Sequence, residues 1–88
     1  MKYKVNIAQE AEKEIRRLSA KDRQRIMAAI LSLAGDPFSG KKLKGKGSRL
    51  IFSLRVWPFR IIYQVFKNEL LVLVIRVGQR KDVYRNLI

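Results

Sequence analysis

The stretch Arg49-Leu-Ile-Phe-Ser-Leu-Arg55-Val-Trp-Pro-Phe-Arg60-Ile-Ile-Tyr-Gln-Val-Phe66 decides how this chain folds. Branched and aromatic apolar residues, which favour strands, fill it, and arginine recurs among them. Successive side chains of a strand point to opposite faces. Leu50, Phe52, Leu54 and Val56 therefore share one face, and Arg49, Ile51, Ser53 and Arg55 share the other. The same alternation sets Phe59, Ile61, Tyr63 and Val65 against Arg60, Ile62, Gln64 and Phe66. Trp57-Pro58 leaves room only for a tight turn, so strands over 49–56 and 59–66 are antiparallel neighbours. A third strand over 70–77, after Lys67-Asn68-Glu69, sets Leu71, Leu73, Ile75 and Val77 against Leu70, Val72, Val74 and Arg76. This reading leaves Arg49, Arg55, Arg60 and Arg76 on one open face, with Ile62, Phe66, Val72 and Val74 among them. Those apolar members either dock a partner segment or are simply incompletely covered.

Upstream, Tyr3-Lys-Val-Asn-Ile7 alternates as a short strand does. Ala8 to Leu18 places Ala8, Ala11, Ile15 and Leu18 on one helical stripe. Ser19-Ala-Lys-Asp22 has the form of a capping box with Asp in the acidic position. It opens a second helix over 20–34, with Ile26, Ala29, Ile30 and Leu33 at helical spacing. Gly35-Asp36-Pro37 ends that helix, glycine suiting a left-handed cap. The short link between the helices predicts an antiparallel helix hairpin. Phe38 to Ser48 reads as a basic, glycine-bearing loop, and Val83 to Ile88 as a last short turn or helix. The expected fold is α+β: one domain over 1–88, with an N-terminal strand, a helix hairpin and a three-stranded antiparallel meander in one twisted sheet.

Charge narrows the function. Twenty Lys+Arg stand against seven Asp+Glu, a net charge of +13. Residues 1–36 hold eight basic and five acidic residues, whereas 37–88 hold twelve and two. Cations gathered in this way suit a polyanion, and the arginine fork matches phosphate with paired hydrogen bonds. Cysteine and histidine are both lacking, which removes disulfides, thiolate metal sites, zinc sites and histidine acid–base chemistry. No metal or other cofactor is expected. The opening Met1-Lys-Tyr-Lys does not resemble a signal peptide, and Leu70 to Ile75 is too short to span a membrane, so a cytoplasmic protein is expected.

Three segments carry a resemblance. Lys42-Leu43-Lys44-Gly45 resembles the Leu-x-Gly element before the sheet of the RelE/ParE toxin superfamily. Leu54-Arg55-Val56 with Phe59-Arg60-Ile61-Ile62-Tyr63 resembles that family's Leu-Arg-Val and Tyr-Arg-Val-Ile-Tyr core. Val77-Gly78-Gln79-Arg80-Lys81-Asp82-Val83-Tyr84-Arg85 resembles its terminal Val-Gly-x-Arg-x-x-x-Tyr. Resemblance to the RelE branch implies a toxin that cuts messenger RNA in the ribosomal A site. It also implies an antitoxin, an acidic or amphipathic helix, that masks the toxin and alone carries the pair to operator DNA.

The resemblance assigns catalytic roles to Arg60, Arg80 and Tyr84. Arg60 and Arg80 would offset charge on the phosphorane-like transition state. Tyr84 would move the proton. A free tyrosine titrates near ~10, and the neighbouring Arg80, Lys81 and Arg85 favour its phenolate. Lys41, Lys42, Lys44, Lys46, Arg49, Arg55, Lys81 and Arg85 are the expected RNA and ribosome contacts. Tyr84 is also a candidate packing residue. Trp57 either stacks on a base or caps its hairpin. The best-known RelE members carry two lysines where this chain has Ile51 and Ser53. That departure keeps open a non-enzymatic, ParE-type inhibitor of DNA gyrase, or an RNA-binding module without toxicity.

Overall fold

A computed structural model describes residues 2–79, with Lys46 described by its backbone alone. The order is β1 (Lys4–Ile7), α1 (Gln9–Arg16), α2 (Ala20–Ser32), β2 (Lys41–Lys46), β3 (Arg49–Val56), β4 (Phe59–Phe66), a 3-10 turn (Lys67–Glu69) and β5 (Leu71–Gln79). One five-stranded sheet runs β1-β5-β4-β3-β2. β1 is parallel to β5, and every other pairing is antiparallel. The sheet is thus mixed, an outcome the meander alone did not imply.

The helices form where their patterns place them. Ser19 Oγ accepts the Asp22 backbone N–H at 3.2 Å, satisfying one of the first-turn donors of α2. Ala11 and Ile15 of α1, and Ile26, Ile30 and Leu33 of and just beyond α2, are buried against the sheet. α1 lies chiefly along β5, while α2 reaches β3, so the helices meet the sheet more than each other. The end of α2 differs from expectation. Gly35 is not left-handed; only Gly45 and Gly47 among the described glycines have positive φ. The helix closes instead through N–H bonds from Gly35 and Asp36 to the Ser32 carbonyl.

The expected loop over 38–48 contains β2, which pairs antiparallel with β3 from Lys41↔Ser53 to Lys46↔Arg49. Gly47 (φ 61°) and Ser48 make the connecting turn, Gly47 adopting a conformation that costs other residues more. β2 is an edge strand, and its lysines discourage further strand addition.

The core face joins Leu50, Phe52, Phe59, Ile61, Tyr63, Val65, Val72, Val74 and Val77 to the helices. Val72 and Val74 therefore lie in the core, not on the open face. Strict alternation fails in β5 because its register against β4 shifts between Ile62↔Arg76 and Tyr63↔Val74, skipping Ile75. One extra residue moves everything before it to the other face. Val77 and Val74 can then both face inward, while Leu71, Leu73 and Ile75 are only half-buried. β3 and β4 keep the expected register, with Ile62 and Phe66 on the face of Ser53 and Arg49, but Ile62 and Ser53 are buried, so that face is not open at its middle as expected.

Candidate nucleic-acid interface

Cross-strand partners project from the same side of a sheet. On the side away from the helices, Arg55 of β3 stands directly opposite Arg60 of β4. Lys41 of β2 stands opposite Ser53, two residues along β3 from Arg55. These residues line a cleft of about 430 Å³, completed by Ser39, Gly40 and Leu54. Like charges placed opposite one another across a strand pair are destabilising. Two guanidiniums and an ammonium at one cleft offer the donors that suit a phosphate group.

The remaining candidates divide. Lys44 pairs with Ile51 and Lys46 with Arg49, which puts both in open-face register. Lys42 pairs with Phe52 and so belongs to the register of the helix side, at the exposed sheet edge. Arg49 is on the open face but at the far end of β3, its guanidinium 5.6 Å from the Phe66 ring centroid. Six residues of strand, about 20 Å, separate it from Arg55. Arg76, expected on the open face, is turned to Glu14 of α1, with Nη2 3.0 Å from Oε2. Arg80, Lys81, Tyr84 and Arg85, and the expected turn or helix over 83–88, lie outside the described residues.

A residue of the core fixes the backbone that borders the cleft. Tyr63 is fully buried and stacked on Phe52, ring centroids 5.5 Å apart. Its hydroxyl accepts the Gly40 N–H at 3.1 Å, tying the segment before β2 to β4. A Cβ at Gly40 would lie 2.7 Å from the Ser53 carbonyl oxygen and 2.8 Å from the Tyr63 hydroxyl, so only glycine permits this approach. Gly40→Ala is expected to cost about 1–3 kcal/mol, read as a lower denaturation midpoint with m unchanged.

Burial pushes the Tyr63 phenol above its ordinary value of 10.0, outweighing the lowering by its hydrogen bonds with Gly40 and Ser39. The fold thus holds this proton more tightly than the unfolded chain does. The stabilisation is complete below pH ~10 and is lost as pH rises above it. Between pH 9 and 11, stability should fall more steeply in the wild-type chain than in Tyr63→Phe; parallel curves would contradict this assignment.

Sequence reading missed the parts Ser39 and Gly40 play, and the burial of Ser53. The Gly47-Ser48 dipeptide ahead of a strand was the available sign of a hairpin, and hence of β2. Trp57 stands at the turn of its hairpin, between β3 and β4. It is 63% exposed, with the Arg55 guanidinium 5.2 Å from its ring centroid and its carbonyl oxygen accepting from Arg25 Nη2 at 2.7 Å. No helix among the described residues is long and apolar enough to cross a membrane.

Comparison with known proteins agrees with this architecture. Residues 5–84 match the family described as ParE toxin of type II toxin-antitoxin system, parDE. A putative RelE-like toxin protein of Escherichia coli is 31% identical over 87 residues, covering 96% of this chain and 92% of the relative. The mRNA interferase toxin RelE of Escherichia coli K12 is 30% identical over the same shares of the two chains. The fold is that of the archaeal RelE in the RelE–RelB complex from Pyrococcus horikoshii, with a TM-score of 0.83 over 92% of this chain and 98% of that one, at 23% identity. A family match over nearly the whole chain, on this sheet and these helices, places the protein among the toxins of type II toxin–antitoxin systems, in the RelE/ParE superfamily.

Proposed function

We propose that this toxin is a metal-independent endoribonuclease that cuts messenger RNA in the ribosomal A site, and that a cognate antitoxin holds it inactive. The observation that carries the reading is the directly opposed Arg55–Arg60 pair at the cleft. In the reaction, the 2′-oxygen attacks the adjacent phosphorus as its proton is removed. The bond to the 5′-oxygen breaks, and that oxygen leaves protonated. Arg60, with Arg80, offsets the charge gathering on the phosphoryl oxygens. Arg55 and Lys41 hold the strand in place, and Tyr84 moves the proton.

Lys44, Lys46, Arg49, Lys81 and Arg85 extend the cationic surface along the RNA and ribosome, with Lys42 at its edge. Phosphate contacts give affinity without reading bases, so the ribosome supplies placement. The antitoxin's acidic or amphipathic helix would cover the arginine face, and only through it would the pair reach operator DNA. The ribosome as target implies work in the cytoplasm.

Two observations favour a second reading, ParE-type inhibition of DNA gyrase. The matching family carries that name. In addition, the two strand positions that bear lysine in the best-known RelE members are here a half-buried Ile51 and a buried Ser53. Mapping messenger RNA 5′ ends after induction separates the two. Cuts inside translated codons support the nuclease; intact messages with blocked supercoiling support the gyrase inhibitor. Tyr84→Phe is expected to abolish the cuts yet retain ribosome binding, measured by co-sedimentation. Undiminished cutting would remove Tyr84 from the mechanism.

A further inference from the structure

Trp57 is the feature the proposed chemistry leaves unused. Trp57 is 63% exposed at the β3–β4 turn, yet it is not loosely held. Its carbonyl oxygen accepts from Arg25 of α2, and Arg25 is itself paired with Asp22 at 3.2 Å. The turn is thereby pinned to the helix layer. Arg55 lies over the ring and also lines the cleft, so a single guanidinium touches both places. The stretch from Arg49 to Phe66 contains no acidic residue. A flat, anchored aromatic beside a cationic phosphate site is the arrangement with which proteins hold single-stranded nucleic acid without reading its sequence.

We infer that the indole of Trp57 is a stacking platform for one nucleobase of the strand whose phosphate occupies the Arg55–Arg60 cleft. The inference rests on the RNA-cleaving reading and supplies the base contact which that reading lacks. A phosphate held by Arg55 brings the base of its own or a neighbouring nucleotide within reach of the ring. Any base offers a π-face, so the contact adds affinity and orientation rather than codon choice.

The chain has a single tryptophan, so its fluorescence reports this ring alone. The full-length protein is titrated with a short 2′-O-methyl RNA, which lacks the attacking hydroxyl. Anisotropy of an end-labelled copy follows binding independently. Emission is expected to be quenched in step with binding. Trp57→Ala should weaken binding roughly 5- to 100-fold, and Trp57→Phe should recover part of the loss. An RNA of the same length without bases should bind wild-type and Trp57→Ala protein equally.

Binding without quenching overturns the platform and leaves the cleft standing, as does a Trp57→Ala loss of equal size for the intact and abasic strands. Unchanged RNA affinity in Trp57→Ala with a weakened antitoxin complex also overturns it, and gives the ring to a protein partner. If the wild-type chain binds no RNA, or Arg60→Ala binds it undiminished, the cleft reading fails and takes the platform with it.

Discussion

Arg60→Ala is expected to lower message cleavage about 100- to 1,000-fold, the cost of removing one preorganised donor from a developing oxyanion. Arg60 is half-buried on β4, its direction fixed by pairing with β3 on one side and with Gly78 of β5 on the other. Arg60→Lys keeps the charge but loses the planar fork, so it should recover only part of the rate. Single-turnover cleavage on translating ribosomes measures the effect, with circular dichroism reporting that the fold is kept. Arg55→Ala should instead weaken substrate binding more than it slows the bound reaction, because its place at the mouth beside Trp57 suits positioning. Equal cleavage by wild type and Arg60→Ala would take the chemistry out of this cleft.

The largest effect on stability is expected at Glu14. β1 covers the edge of β5 only from Leu71 to Val74. Beyond it the Val77 N–H meets the Glu14 carboxylate instead, at 2.8 Å, and the same carboxylate takes the Arg76 guanidinium at 3.0–3.3 Å. Both side chains are about one-fifth exposed, so solvent screens the pair only weakly. Glu14→Ala removes the acceptor from a part-buried backbone donor and from a cation together. A loss of about 2–3 kcal/mol follows, or about 10–20 °C in Tm for a chain of this size. Glu14→Gln keeps an acceptor and should cost less. If Glu14→Ala also in an Arg76→Ala background costs as much as in the wild type, the two residues do not act together.

Strong periodic signals were legible in the sequence, and departures from period were not. β3 and β4 pair in the register that the alternation around Arg55 and Arg60 implies, because an unbroken apolar series marks one face of each strand; the burial of Ser53 and Ile62 on the other face was not legible. β5 is apolar on both faces from Leu71 to Ile75, so nothing in its composition reveals the skipped residue that sends Val72 and Val74 inward. β2 was hidden because an exposed edge strand needs no apolar face, and four lysines look like a loop. The pairing of Arg55 with Arg60 followed directly from their places about a two-residue turn. The Glu14–Arg76 contact spans 62 residues and depends on where β1 stops, which no local pattern encodes.

The most direct test is a structure of the toxin on a ribosome whose A-site message carries a 2′-O-methyl group at the susceptible nucleotide. The account predicts the target phosphate inside the cleft bounded by Gly40, Lys41, Arg55 and Arg60. A phosphate bound instead at the Arg49 end of β3, or a message approaching from the helix side of the sheet, would contradict it.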